Sequence, residues 1–196
     1  QLHKQLVAMT RPRGDETVMP GARLLAEAEA IGAAKPGEPY YTAARPGQFW
    51  LRVPTADGAF SIRLLVPAAV AAAPDHKVPL VVALHGAGGS ENLFFDSYGD
   101  GEIVRQCERR GWLLAAPRSQ GLTGVDVQAL VTALAQRFPV DRRAVFLVGH
   151  SMGAMQAVAN AVRTPECFCA VAPISGGGGV RRSEALKKLP FFVAAG

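Results

Sequence analysis

The chain has 196 residues, 49% of them hydrophobic and 19% charged, with a formal net charge of +5. That balance excludes intrinsic disorder, which needs low hydrophobicity and high net charge, and it suffices for one domain with a sizeable core. The positive excess is scattered, its nearest cluster being Arg181-Arg182 with Lys187-Lys188, and aromatics make up only 7%, so no basic, aromatic stripe suggests a nucleic-acid partner.

No run of 18 apolar residues predicts a membrane span. Three cysteines, Cys107, Cys167 and Cys169, make no paired disulfide framework. Cys167-x-Cys169 is too tight for a usual zinc knuckle and no histidine follows it, so the thiols are expected to be free and buried. The first residue is Gln rather than Met, which leaves room for a removed leader.

Residues 1–47 are expected to form an extension or linker. Residues 21–34 predict a short helix with Leu24, Leu25, Ala28 and Ile31 on one face, punctuated on both sides by Pro and Gly. Residues 49–53 and 60–66 predict a hairpin about a turn at Asp57-Gly58. A loop rich in Ala and Pro is expected over 67–79.

The apolar run Leu80-Val81-Val82-Ala83-Leu84 suits a strand buried on both faces. It ends at His85-Gly86-Ala87-Gly88-Gly89. Ile103, Val104 and Cys107 mark a helix stopping at Gly111, and residues 112–117 a second buried strand. Val127, Leu130, Val131, Leu134 and Phe138 share one face of an amphipathic helix. Residues 144–148 predict a strand, 151–163 a helix, 168–174 a strand, 183–188 a further helix and 189–195 a last strand. Strand–helix alternation after an antiparallel hairpin predicts an α/β fold with a mostly parallel, doubly wound sheet. The domain is expected to span residues 48–196.

The chemistry lies in Gly149-His150-Ser151-Met152-Gly153, which fits G-x-S-x-G between a strand and a helix. The bare pattern arises by chance roughly 0.08 times in such a chain, so its context matters more. A nucleophilic serine must stand on a tight turn where both a base and a substrate can reach it. Glycines two residues away on each side relieve the resulting crowding. The alternative is an ordinary turn with an N-capping serine.

Acyl transfer also needs two backbone N–H groups aimed at the oxyanion. One is expected from Met152 and the other from the loop after His85, with Ala87 first and Gly88 next; Gly86 and Gly88 would let substrate approach the backbone. A glycine-rich loop alone would equally suit a phosphate, but this one lacks both G-x-G-x-x-G spacing and a Walker lysine.

Leu84-His85-Gly86 with its glycine tail, and Phe138-Pro139-Val140-Asp141 leading through Val145-Phe146-Leu147-Val148 into the G-x-S-x-G turn, resemble the α/β-hydrolase superfamily. Asp141-Arg142-Arg143 is similar to that family's turn before this strand. The sequence looks most like polyhydroxybutyrate-depolymerase, feruloyl-esterase and dienelactone-hydrolase-like enzymes. The resemblance implies a serine nucleophile at Ser151, oxyanion donors at Met152 and the loop after His85-Gly86, a small or polymeric carboxylic-ester substrate, and no metal or organic cofactor.

The pattern also departs from the family. After Ser151 there is no Asp and no His, whereas the family's acid and base follow the serine. The expectation is a chain cut before both, hence an active parent and an essentially inactive fragment. His3, His76, His85 and His150 are poor substitutes by position. The competing reading is a non-catalytic, hydrolase-like binding or structural domain of a larger protein.

Asn92, Phe94, Phe95 and Tyr98 either line an acyl pocket or pack the loop. The four glycines from 176 to 179 either admit substrate or form a plain loop. Met152 and Met155 are expected in the core of their helix, apart from the Met152 backbone. Substrate identity, oligomeric state and compartment stay open, with the resemblance to exported depolymerases leaning towards export.

Overall fold

The computed structural model describes residues 18–34, 39–56, 58–119, 124–176 and 184–195. The expectations at His3, Asp57, residues 177–179 and Arg181-Arg182 lie outside the described residues. Contacts divide the chain into two compact units, residues 1–42 and 43–196. The first contains helix α1 (Gly21–Gly32), with Leu24 buried but Leu25 half exposed, so the expected apolar face is narrower than its sequence pattern.

The second unit is built on a six-stranded sheet in the order β1-β2-β4-β3-β5-β6. Its strands are β1 (Gly47–Thr55), β2 (Gly58–Val66), β3 (Val78–Leu84), β4 (Leu113–Pro117), β5 (Val140–His150) and β6 (Ala170–Ile174). The hairpin β1–β2 is antiparallel, closing Thr55 against Gly58. β2 runs antiparallel to β4, and every later pairing is parallel. The mostly parallel sheet with an N-terminal antiparallel hairpin is therefore as expected.

β3 explains the parallel core. All five residues of its apolar run are buried, because successive side chains alternate between two covered faces. One face carries Leu65, Val81, Ala83, Leu114 and Ala116 against Val104 and Cys107 of α3 (Glu102–Arg110), with Phe94 and Phe95. α4 (Val127–Ala135) and α5 (Met152–Arg163) also pack against the sheet, α4 on β1 and β5, and α5 on β5, β6 and β3. Asn160 of α5 joins the two helices, accepting from the Val127 N–H and donating to the Val125 carbonyl.

Helix ends follow local chemistry. Asp126 caps α4 by accepting from the Ala129 N–H at 3.0 Å. α3 carries Glu102 in its first turn and Arg109 and Arg110 in its last, matching the helix dipole, and it stops at Gly111 in the left-handed region.

Several elements differ from the sequence expectation. The loop over 67–79 contains a short helix, α2 (Ala68–Ala72), around the buried Val70. α4 ends at Ala135, so Phe138 is buried beyond the helix rather than on it. β5 starts earlier than expected: Val78 pairs with Val140 but Leu80 pairs with Val145, so residues 141–143 form a bulge closed by the Arg143 N–H on the Asp141 carboxylate. The expected last strand is reduced to two parallel bridges, Val171 with Phe191 and Ile174 with Ala194. Of the three cysteines only Cys107 is buried; Cys167 is half-buried and Cys169 exposed, because Cys167 ends a short turn (Pro165–Cys167) and Cys169 lies between that turn and β6.

Candidate active site

The C-terminal ends of β3, β4 and β5 place three loops at one rim of the sheet, the edge at which open α/β sheets bind ligands. β5 delivers Ser151 into a sharp turn with φ 54° and ψ −116°, and α5 begins at the next residue. A non-glycine residue held there is strained, so the surroundings must impose the conformation.

They do so with backbone. The Ser151 N–H donates to the Ile174 carbonyl of β6 at 2.9 Å, and the Ser151 carbonyl accepts from Ala154 and Met155. A side chain on Gly149 would run into the Gly153 carbonyl, one on Gly153 into the Leu84 carbonyl at the end of β3, and one on Gly176 into the Ser151 carbonyl. The two motif glycines thus have the steric duty that the spacing implies. Gly176, expected only as part of a glycine loop, belongs to the same close packing.

The residues expected beside Ser151 come together as follows. Gly86 is buried against the turn, where an added Cβ would lie 3.3 Å from the Ser151 Cβ. Ala87 and Gly88 follow at the exposed rim in a turn closed by the Gly89 N–H on the Gly86 carbonyl. Gly88 is left-handed, at φ 73°, with open space around it. Met152 is the first residue of α5, so its N–H has no acceptor within the helix. Among the described residues neither the Met152 nor the Ala87 N–H meets a backbone acceptor outside the helices and strands. Met152 follows Ser151 directly and the α5 dipole adds positive potential there, while Ala87 follows the Gly86 that packs on the turn.

His85 is buried and engaged at both nitrogens. The Ser119 N–H donates to its Nε2 at 3.0 Å, so Nδ1 carries the proton and donates to the Gly86 carbonyl at 2.7 Å. It ties the loop after β3 to the loop after β4. His150 points from the turn to Tyr98, with Nδ1 3.1 Å from the hydroxyl. His76 sits after α2, at the far end of β3 from the serine. None of these three is recorded against the Ser151 hydroxyl.

Beyond Gly89 the chain coils into a π-helical turn (Leu93–Ser97) and a tight 3₁₀ turn (Tyr98–Gly101). The β1–β2 hairpin fixes this segment through a buried polar cluster. Arg63 pairs with Asp96 at 2.6 Å and donates to Asn92, while the Trp50 indole N–H donates to the same Asn92 oxygen. The Arg63 guanidinium also lies between the Trp50 and Phe95 rings, 4.5 Å from each centroid.

Asn92, Phe94 and Phe95 therefore pack the loop, and Tyr98 alone of the four aromatic or polar candidates reaches the serine turn. Glu91, fully buried, forms an ion pair with Arg118 beyond β4. Met155 is 47% exposed, not core, because α5 turns that face outward. No described helix is long and apolar enough to cross a membrane.

The chain belongs to the α/β hydrolase family, whose model matches residues 64–195. No curated protein matches its sequence. Among solved structures it is similar to a thermostable esterase, with a TM-score of 0.63 and 26% identity over 74% of this chain and 45% of that one. It is also similar to a feruloyl esterase module from Clostridium thermocellum complexed with sinapinate, with a TM-score of 0.61 and 13% identity over 81% of this chain and 71% of that one. A fluorophosphonate-binding serine hydrolase from Staphylococcus aureus gives a TM-score of 0.58 and 16% identity over 67% and 58%. The last two likenesses speak for the fold alone. The chain spans less than half of the thermostable esterase.

Proposed function

We propose that this chain carries the nucleophile and oxyanion hole of a carboxylic-ester hydrolase. The carrying observation is Ser151 in a strained turn at the head of α5, next to the Met152 amide and packed against Gly86, which precedes Ala87. The thermostable esterase, at 26% identity, supports the same chemistry.

In this reading the Ser151 Oγ attacks the ester carbonyl carbon as its proton passes to a histidine base. The carbonyl oxygen becomes an oxyanion held by the Met152 and Ala87 N–H groups, with Gly88 as the alternative second donor. Collapse expels the alcohol and leaves an acyl group on Ser151, and water then repeats the sequence to release the acid. Gly86 and Gly88 border the substrate path. Neither His85 nor His150 is placed to serve as that base: His85 has both nitrogens engaged, and His150 is turned to Tyr98. The reaction in this form calls on no metal or organic cofactor, and its substrate is a small or polymeric ester. The first compact unit, residues 1–42, serves as an extension to the hydrolase domain.

The test is hydrolysis of short-chain p-nitrophenyl esters by the complete protein beside its Ser151→Ala variant. The reading predicts turnover by the parent and a loss of about 10³-fold or more in the variant. Equal turnover in the two would remove Ser151 as nucleophile, and two equally inactive proteins would put the hydrolase-like binding domain ahead.

A further inference from the structure

Gly86 lies where three side chains converge. A Cβ added to it would sit 3.3 Å from the Ser151 Cβ, 3.3 Å from His150 Nδ1 and 3.4 Å from the Tyr98 hydroxyl. His150 Nδ1 and that hydroxyl are hydrogen-bonded at 3.1 Å, with the ring centroids 4.7 Å apart and the planes tilted by 56°. His150 precedes Ser151 and Gly86 precedes Ala87. The contact joins the Tyr98 segment to the serine turn and lies against Gly86, the residue before Ala87.

The tyrosine is itself held firmly. Its ring meets the buried Phe94 edge-on, with centroids 4.9 Å apart. The chain then passes through three successive left-handed residues, Gly99 at φ 56°, Asp100 at φ 51° and Gly101 at φ 69°. For the non-glycine Asp100 this conformation carries a steric cost. Arg105 of α3 offsets part of that cost by donating to the Asp100 carbonyl at 2.6 Å. A side chain at Gly101 would run into the Phe95 carbonyl, so the turn is also closed sterically. Strain of this kind persists only where the surroundings over-determine it, and it gathers at functional sites. Here its effect is to fix the residue that touches His150.

We propose that Tyr98 is a positioning residue for the reaction at Ser151, acting through its hydroxyl on His150 to pin the Gly86–Ala87 backbone against the serine turn. The inference rests on the serine-esterase reading above. The hydroxyl both donates and accepts, so it can share one hydrogen bond with Nδ1 in either imidazole tautomer. The pinned backbone keeps the Ala87 and Met152 donors at a fixed separation while the oxyanion forms. Those donors are aimed at charge that exists only in the transition state, so loosening them lowers kcat and leaves ground-state binding unchanged.

The experiment measures kcat, KM and thermal midpoint on an activated ester, using the complete protein. The variants are Tyr98→Phe, His150→Phe, the double variant and Ser151→Ala. Tyr98→Phe keeps the ring on Phe94 and removes only the hydroxyl. The expected result is a fall in kcat of about tenfold with KM within about twofold, less than the roughly 10²–10³ lost when an oxyanion donor is removed outright. His150→Phe should do the same, and the double variant should be no slower than either single one, because both break one contact.

A parental kcat in Tyr98→Phe overturns the proposal. So does a KM or thermal midpoint that worsens in step with kcat, or a double variant whose losses multiply. Ser151→Ala separates the two failures. If it stays fast, the serine reading falls and the positioning role with it. If it is inactive beside a fully active Tyr98→Phe, only the positioning role falls.

Discussion

The turn at Ser151 is held by backbone packed against backbone, whereas the neighbouring segment from Glu91 to Gly101 is held by side chains reaching in from a distant hairpin. At the serine turn the contacts are carbonyls of Leu84, Ser151 and Gly153 facing glycines that have no room for a Cβ. In the neighbouring segment they are Arg63 and Trp50, with Arg63 bonded to Asp96 and Asn92 and held in turn by Gln48 of its own hairpin. Steric exclusion holds a backbone conformation without charge and tolerates almost no substitution. A buried ion pair holds a loop only while both partners are present, because either one alone is a desolvated charge.

The largest effect that probes this contrast is expected from Arg63. Replacing it as Arg63→Met removes the 2.6 Å ion pair from the Asp96 carboxylate, whose side chain is only 6% exposed. The expected loss is about 3–5 kcal/mol in urea unfolding, accompanied by new protease cleavage within residues 90–101. A loss below about 1 kcal/mol with that segment still protected would mean that apolar packing by Phe94 and Phe95 suffices.

Gly153→Ala comes next. The new methyl would collide with the ends of β3, and the expected destabilisation is about 3 kcal/mol, with catalytic rate falling further than stability alone explains. A variant as stable and as fast as the parent would show that the turn can shift to admit a side chain.

The smallest effect concerns Cys107, beneath the same segment. Burial pushes its thiol up from an ordinary 9.0 to about 12, with Arg110 partly opposing. The folded protein thus disfavours the thiolate. That contribution to stability is complete below pH 9 and is lost as pH rises from 9 towards 12, because the unfolded chain ionises first. Unfolding midpoints measured across that interval should fall more steeply for the parent than for Cys107→Ala. Parallel curves would contradict the burial argument.

The serine turn was legible in sequence because its requirements are local: two glycines, a serine, a preceding apolar strand and a following helix. The parallel core was legible for a related reason, since the run from Leu80 to Leu84 can be buried on both faces only inside such a sheet. The role of Arg63 was not, because its partners lie 29 and 33 residues away and nothing in the hairpin pattern points to them. Gly176 was read as loop for the same reason, as its neighbour is the Ser151 carbonyl rather than anything adjacent in sequence. For Tyr98 the sequence leaves open a pocket or a packing role, and its contact with His150 stands just before a left-handed turn at residues 99–101 that only Gly99 and Gly101 hint at. The last strand was overread: its apolar residues are strand-like, yet Phe192 and Val193 are 68% and 70% exposed and only isolated bridges form.

The central claim is that Ser151 is an activated nucleophile, and the most direct measurement is labelling of the complete protein with a fluorophosphonate followed by peptide mass mapping. The account predicts one adduct, on the peptide containing Ser151, and none after heat unfolding or in Ser151→Ala. An adduct on another residue, or a folded protein that takes up no label, would contradict it.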